Sequence, residues 1–135
     1  MKILIVDDNA SVRRLIRSIL PPLASDIYEC ANGADALTTY QDRRPDVVLM
    51  DIRMGEMDGI QATERIKAAD RGARILIVTD YNDEELRRAA MRAGACGYVL
   101  KYNLLALVQL LEAMEQALRE RRAGSTEHGC PDPNN

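Results

Sequence analysis

Short apolar runs recur along this chain without the polar–apolar alternation of a sheet that keeps one face wet. Residues 2–6 (Lys-Ile-Leu-Ile-Val), 46–50 (Asp-Val-Val-Leu-Met) and 74–78 (Arg-Ile-Leu-Ile-Val) are the strongest, and 26–30 and 97–100 (Gly-Tyr-Val-Leu) are weaker. A strand apolar at successive positions is covered on both faces, as in a parallel sheet held between helices. Amphipathic stretches fill the intervals. In 10–20, Val12, Leu15, Ile16 and Ile19 share a face, and Pro21-Pro22 stops the helix. In 34–41 the face is Ala36, Leu37 and Tyr40, and 58–69 carries Ile60 and Ile66. Helix 83–93 carries Leu86, Ala89, Ala90 and Ala93 and stops at Gly94. Helix 104–121 turns Leu104, Leu107, Val108, Leu111, Met114 and Leu118 inward. Five strands, each followed by a helix, predict a doubly wound α/β fold with right-handed crossovers.

The chain has 135 residues, 47% of them hydrophobic, which suits one domain with one sizeable core. That domain is expected over 1–122. Residues 123–135, polar and rich in Gly and Pro, are expected to be a disordered tail. A net charge of -3 makes no electrostatic case for nucleic acid, and the absence of Trp and Phe argues against a stacking platform. No apolar run approaches the ~20 residues of a membrane span, and the N-terminal one is too short for a signal peptide. The cysteines Cys30, Cys96 and Cys130 match no metal or disulfide spacing. Cys30 and Cys96 read as buried thiols, and a cytoplasmic location is expected.

In an open parallel sheet, ligands gather beyond the carboxyl ends of the strands. Here those ends carry Asp7-Asp8, Asp51, Thr79 and Lys101. Two like charges 4 Å apart repel by ~4 kcal/mol at an effective dielectric of 20, so three carboxylates call for a counter-charge. Mg²⁺ suits a site with few protein ligands, because it keeps waters and phosphate oxygens as its other partners. One carboxylate can then attack phosphorus, while Lys101 and the Thr79 hydroxyl hold the phosphoryl oxygens. The added charge gives Thr79 and Lys101 something to sense.

Ile-Val-Asp7-Asp8-Asn, Pro45-Asp46-Val-Val-Leu-Met-Asp51, Met57-Asp58-Gly59, Ile-Val-Thr79 and Ala93-Gly-Ala-Cys-Gly97-Tyr98-Val-Leu-Lys101 resemble the receiver domain of two-component response regulators, over residues 1 to about 121. The resemblance implies a flavodoxin-like sheet of order 2-1-3-4-5. It implies Asp51 as phosphoacceptor, and Mg²⁺ held by Asp8 and Asp51, with Asp7 acting through water and the Arg53 carbonyl completing the set. Lys101 would contact the phosphoryl group, Thr79 would be the switch hydroxyl and Tyr98 the aromatic that follows it. A stand-alone receiver is expected, phosphorylated by a sensor histidine kinase or a phosphotransfer protein and reset by Mg²⁺-dependent self-dephosphorylation. It would signal by binding an unknown output protein. Helix 83–93, strand 97–100 and helix 104–121 would form the signalling face, where a homodimer could also form.

Three positions depart from the family pattern. Gly55 replaces a proline and predicts a looser loop. Asp80 sets a carboxylate beside the site, and Tyr102 replaces a proline after Lys101, predicting a trans bond. They motivate an alternative, a receiver-like module that signals without phosphorylation. Another alternative is the receiver part of a DNA-binding regulator. An aspartate-nucleophile phosphatase would need a second acid where Arg53 stands. A flavin-binding role lacks its phosphate loop. Arg87, Arg88 and Arg92 read as a solvated face. The lone histidine, His128, lies in the tail and leaves no histidine for an internal phosphorelay.

Overall fold

A computed structural model describes residues 1–55 and 57–123. Five β–α units follow one another: β1 (Lys2–Val6), α1 (Ala10–Ile19), β2 (Asp26–Cys30), α2 (Gly33–Arg43), β3 (Val47–Met50), α3 (Gly59–Ala69), β4 (Ile75–Thr79), α4 (Glu84–Ala93), β5 (Gly97–Leu100) and α5 (Leu104–Ala123). All strands are parallel, in the order β2-β1-β3-β4-β5. The expected fold class and strand order hold. The expected tail lies outside the described residues, apart from Ala123, which ends α5.

Successive strand residues enter two separate cores, which is why the runs do not alternate in polarity. Leu4, Val6, Val48, Met50, Ile75 and Ile77 pack with Ala36, Tyr40, Ala62, Ile66 and Ala90 of α2, α3 and α4. Ile3, Ile5, Val47, Leu49, Leu76, Val78 and Val99 pack with Ile16 of α1 and Leu107, Leu111 and Met114 of α5. Buried apolar surface stabilises at roughly 25 cal/mol per Å², so both faces contribute.

Helix starts follow local chemistry. Asn9, Asn32, Asp58 and Asp83 each accept backbone N–H groups of the first turn. Gly94 ends α4 with a φ of 108°, a left-handed conformation that glycine adopts without strain. One inward assignment is wrong: Leu15 is 52% exposed. The buried stripe of α1 runs through Val12, Ile16 and Ile19, and Leu15 falls to one side of it. Cys30 is a buried free thiol, and burial pushes its pKa up. Cys96 is buried too, but it is bonded and is not a free thiol as expected.

Candidate functional site

Strand register assembles the site. Val6 pairs with Met50, so Asp7 and Asp51 leave neighbouring strands side by side. Thr79 pairs with Leu100, so Lys101 emerges beside the end of β4. Backbone bonds tie the ends together: Asp51 N donates to the Val6 carbonyl at 2.9 Å, and Lys101 N donates to the Thr79 carbonyl at 2.8 Å. The crevice lies between β1 and β3, whose onward connections run to opposite sides, to β2 and to β4, the switch point of such sheets.

Carboxylate oxygens of Asp7, Asp8 and Asp51 all lie within 4.8 Å of one another. Asp7 and Asp51 are buried, and Asp8 is exposed. The Lys101 ammonium sits 2.9 Å from Asp7 Oδ2 and 3.3 Å from Asp51 Oδ2. Asp80 Oδ2 lies 4.0 Å from the same nitrogen and is largely exposed. The second oxygens are held as well: Asn9 N donates to Asp7 Oδ1 at 2.8 Å, and Ile52 N donates to Asp51 Oδ1 at 2.9 Å.

Burial, and then the charge of Asp7, push the Asp51 carboxyl up to about 6, with Lys101 offsetting part of the rise. Burial opposes the charge on Lys101, but its bonds to Asp7 and Asp51 outweigh that and raise its pKa. Three hard oxygen donors with one ammonium therefore fit a divalent cation such as Mg²⁺, which completes its shell with water or phosphate oxygens. Beside them a recess of about 530 Å³ is bounded by Asp8, Arg53, Gly55, Asp58 and Leu86. Gly55, at a φ of 65°, has no neighbour within 4 Å of where a Cβ would be, in keeping with an open loop. Arg53 is exposed, and its guanidinium stacks 5.0 Å from the centre of the Tyr81 ring.

Thr79 and Tyr98 converge on one residue that the sequence reading missed. Thr79 is fully buried, and its Oγ1 accepts from Tyr81 N at 3.3 Å. The Tyr98 hydroxyl donates to the Tyr81 carbonyl at 2.6 Å, and Arg87 lies 5.5 Å from the Tyr98 ring centre. Tyr81 is thus held by Thr79, Tyr98 and Arg53; an aromatic amid the polar Asp80–Asp83 loop was its only sequence signal. Gly59, of the Met57-Asp58-Gly59 motif, owes its place to sterics. A Cβ there would fall 1.8 Å from the Asp51 carbonyl oxygen, so α3 starts against the backbone of Asp51 only because position 59 has no side chain. Among the described residues no peptide bond is cis, so Lys101–Tyr102 is trans as expected. No helix there is long and apolar enough to cross a membrane.

The family model described as "Response regulator receiver domain" matches residues 3–116. A chemotaxis protein CheY of Halobacterium salinarum is 42% identical over 100 residues, 74% of this chain and 83% of that protein. The regulatory protein AtoC of Escherichia coli is 40% identical over 100 residues, 74% of this chain, but the match spans only 22% of its own length. A crystal structure of a CheX–CheY–BeF₃–Mg²⁺ complex from Borrelia burgdorferi aligns with a TM-score of 0.71 and 27% identity, covering 80% of this chain and 86% of that one. With sequence, fold and acidic rim in agreement, this chain belongs to the response regulator receiver domain family and is a module of phosphorylation-controlled signalling.

Proposed function

We propose that the protein is a switch set by phosphorylation of Asp51. The supporting observation is the meeting of Asp7, Asp8 and Asp51 within 4.8 Å, with the Lys101 ammonium 2.9 and 3.3 Å from two of them. Asp8, Asp51 and the Arg53 carbonyl would hold Mg²⁺ directly, and Asp7 through water. Mg²⁺, when bound, neutralises charge on the phosphoryl oxygens. An oxygen of Asp51 forms the new bond to phosphorus while the donor's phosphorus–nitrogen bond breaks, and the leaving imidazole takes up a proton. Lys101 holds a phosphoryl oxygen, and so does the Thr79 hydroxyl once the β4–α4 loop closes in. Tyr81 would move with Thr79, and its carbonyl would release or draw in the Tyr98 hydroxyl. The donor class is a sensor histidine kinase or a phosphotransfer protein. The only chemistry assigned is Mg²⁺-dependent self-phosphorylation and self-dephosphorylation in the cytoplasm.

Output would pass through the face of α4, β5 and α5. There Tyr98, Tyr102, Asn103, Ala106 and Leu110 line a groove of about 480 Å³. Tyr102 is 76% and Leu105 68% exposed, which suits an output protein or a second copy of the chain. Incubation with acetyl phosphate or phosphoramidate and Mg²⁺, followed by intact mass, tests the chemistry. One added phosphoryl group, absent without Mg²⁺ and in Asp51→Asn, is expected. No gain with either donor, or undiminished labelling of the variant, would refute it. Asp80, a fourth carboxylate near Lys101, favours a second reading as a phosphorylation-independent module. Partner binding unchanged by Asp51→Ala would select it.

A further inference from the structure

Arg13 reaches from α1 back to the acidic rim. One guanidinium nitrogen, Nη1, donates to the Asp7 carbonyl at 2.6 Å, and Nε donates to Glu29 on β2 at 3.0 Å. Glu29 is held in turn by Arg17 Nη1 at 2.9 Å. The Arg13 side chain is only 18% exposed. The carbonyl it grips belongs to the peptide unit that joins Asp7 to Asp8. That unit is planar, so a charged donor on its oxygen constrains both flanking Cα atoms and the direction in which Asp8 leaves the chain. The Asp7 side chain has its own restraints, from Asn9 N and Lys101. Asp8 is exposed and depends far more on the backbone that carries it.

We infer that Arg13 is a positioning residue: it orients the Asp7–Asp8 peptide so that Asp8 joins Asp7 and Asp51 around a divalent cation, while Glu29 holds the guanidinium in place. The inference rests on the metal-binding part of the proposed function. Charge and positioning predict opposite signs. A cationic side chain near a cation site repels the ion, so electrostatics alone makes Mg²⁺ bind more tightly once Arg13 is neutral. Loss of an orienting group makes it bind more weakly, commonly by 10- to 100-fold.

The test titrates Mg²⁺ by calorimetry into the full chain and into Arg13→Gln, Arg13→Lys and Glu29→Gln. Arg13→Gln is expected to weaken binding about tenfold or more. Arg13→Lys should recover part of the loss, since an ammonium reaches the carbonyl but lacks the fork that also holds Glu29. Glu29→Gln should lose less than Arg13→Gln. Affinity in Arg13→Gln equal to or tighter than wild type would overturn the inference. Amide hydrogen exchange of the metal-free proteins gives a second readout. Exchange should quicken several-fold across residues 8–12 and not in α5, and an unchanged pattern would overturn the inference. Failure of the wild type to bind Mg²⁺ would count against the proposed function, leaving the exchange comparison to decide the role of Arg13. If Arg13→Gln does not fold, Glu29→Gln decides: wild-type affinity and exchange in that variant would sink the clamp.

Discussion

Burial raises the Asp51 carboxyl to about 6, so at mildly acidic pH protons would compete with the proposed divalent cation for it. Mg²⁺ affinity is therefore expected to fall as pH drops below about 6, approaching tenfold per pH unit; calorimetric titrations across that range check it, and a flat profile would contradict it. The same rise has a stability sign. An acid with a raised folded pKa stabilises the fold least when ionised, so the loss begins near the unfolded value of about 3.9 and is complete above about 6. In the metal-free protein, Asp51→Asn should stabilise by on the order of 2 to 3 kcal/mol near neutrality and by little near pH 4, as read by urea melts. Gly59 carries a steric prediction. With a Cβ 1.8 Å from the Asp51 carbonyl oxygen, Gly59→Ala must displace backbone, at about 3 kcal/mol or more, and should slow phosphoryl labelling of Asp51. The sequence displayed the identities of Asp7, Asp8, Asp51, Thr79 and Lys101 at strand ends. It did not display Gly59, Arg13 or Tyr81 as site residues, because those contacts run through the peptide groups of Asp51, Asp7 and Tyr81, which residue identity does not reveal.

At the scale of elements, α2 and α3 are joined by a bond between Tyr40, three residues before the end of α2, and Asp70, the C-cap of α3. The Tyr40 hydroxyl donates to Asp70 Oδ2 at 2.7 Å. That bond, above all other contacts, holds the Asp70 carboxyl below its ordinary value, while burial and then the same bond push the Tyr40 hydroxyl up. An acid with a depressed folded pKa contributes stability above its unfolded value of about 3.9, lost as pH falls through the lower folded value. Tyr40→Phe should cost about 1 kcal/mol near neutrality and less in acid; a cost independent of pH would assign it to packing instead. Helix positions were legible because caps and periodicity are local. Register at the ends was less so: β4 ends at Thr79 itself, where the apolar run alone suggested an end one residue earlier. Leu15 misled because a stripe wider than the buried face looks the same until the sheet is beneath it.

Across the whole molecule, the proposed metal site couples to folding, because Asp7, Asp8 and Asp51 converge only in the folded sheet. Mg²⁺ at 100 times its dissociation constant should raise unfolding stability by about 2.7 kcal/mol, and Asp8→Asn should remove most of that gain; parallel melts with and without Mg²⁺ decide it. What the sequence determined by itself was the set of elements and the chemistry waiting at their ends, since apolar periodicity, caps and charge are properties of neighbouring residues. Tertiary structure alone decided that Lys101 lies between Asp7 and Asp51, that Thr79 and Tyr98 both grip Tyr81, and that Arg13 turns back to the Asp7 carbonyl. Those distances depend on register between strands far apart in the chain and on how closely backbones can approach, and neither is written in any single segment.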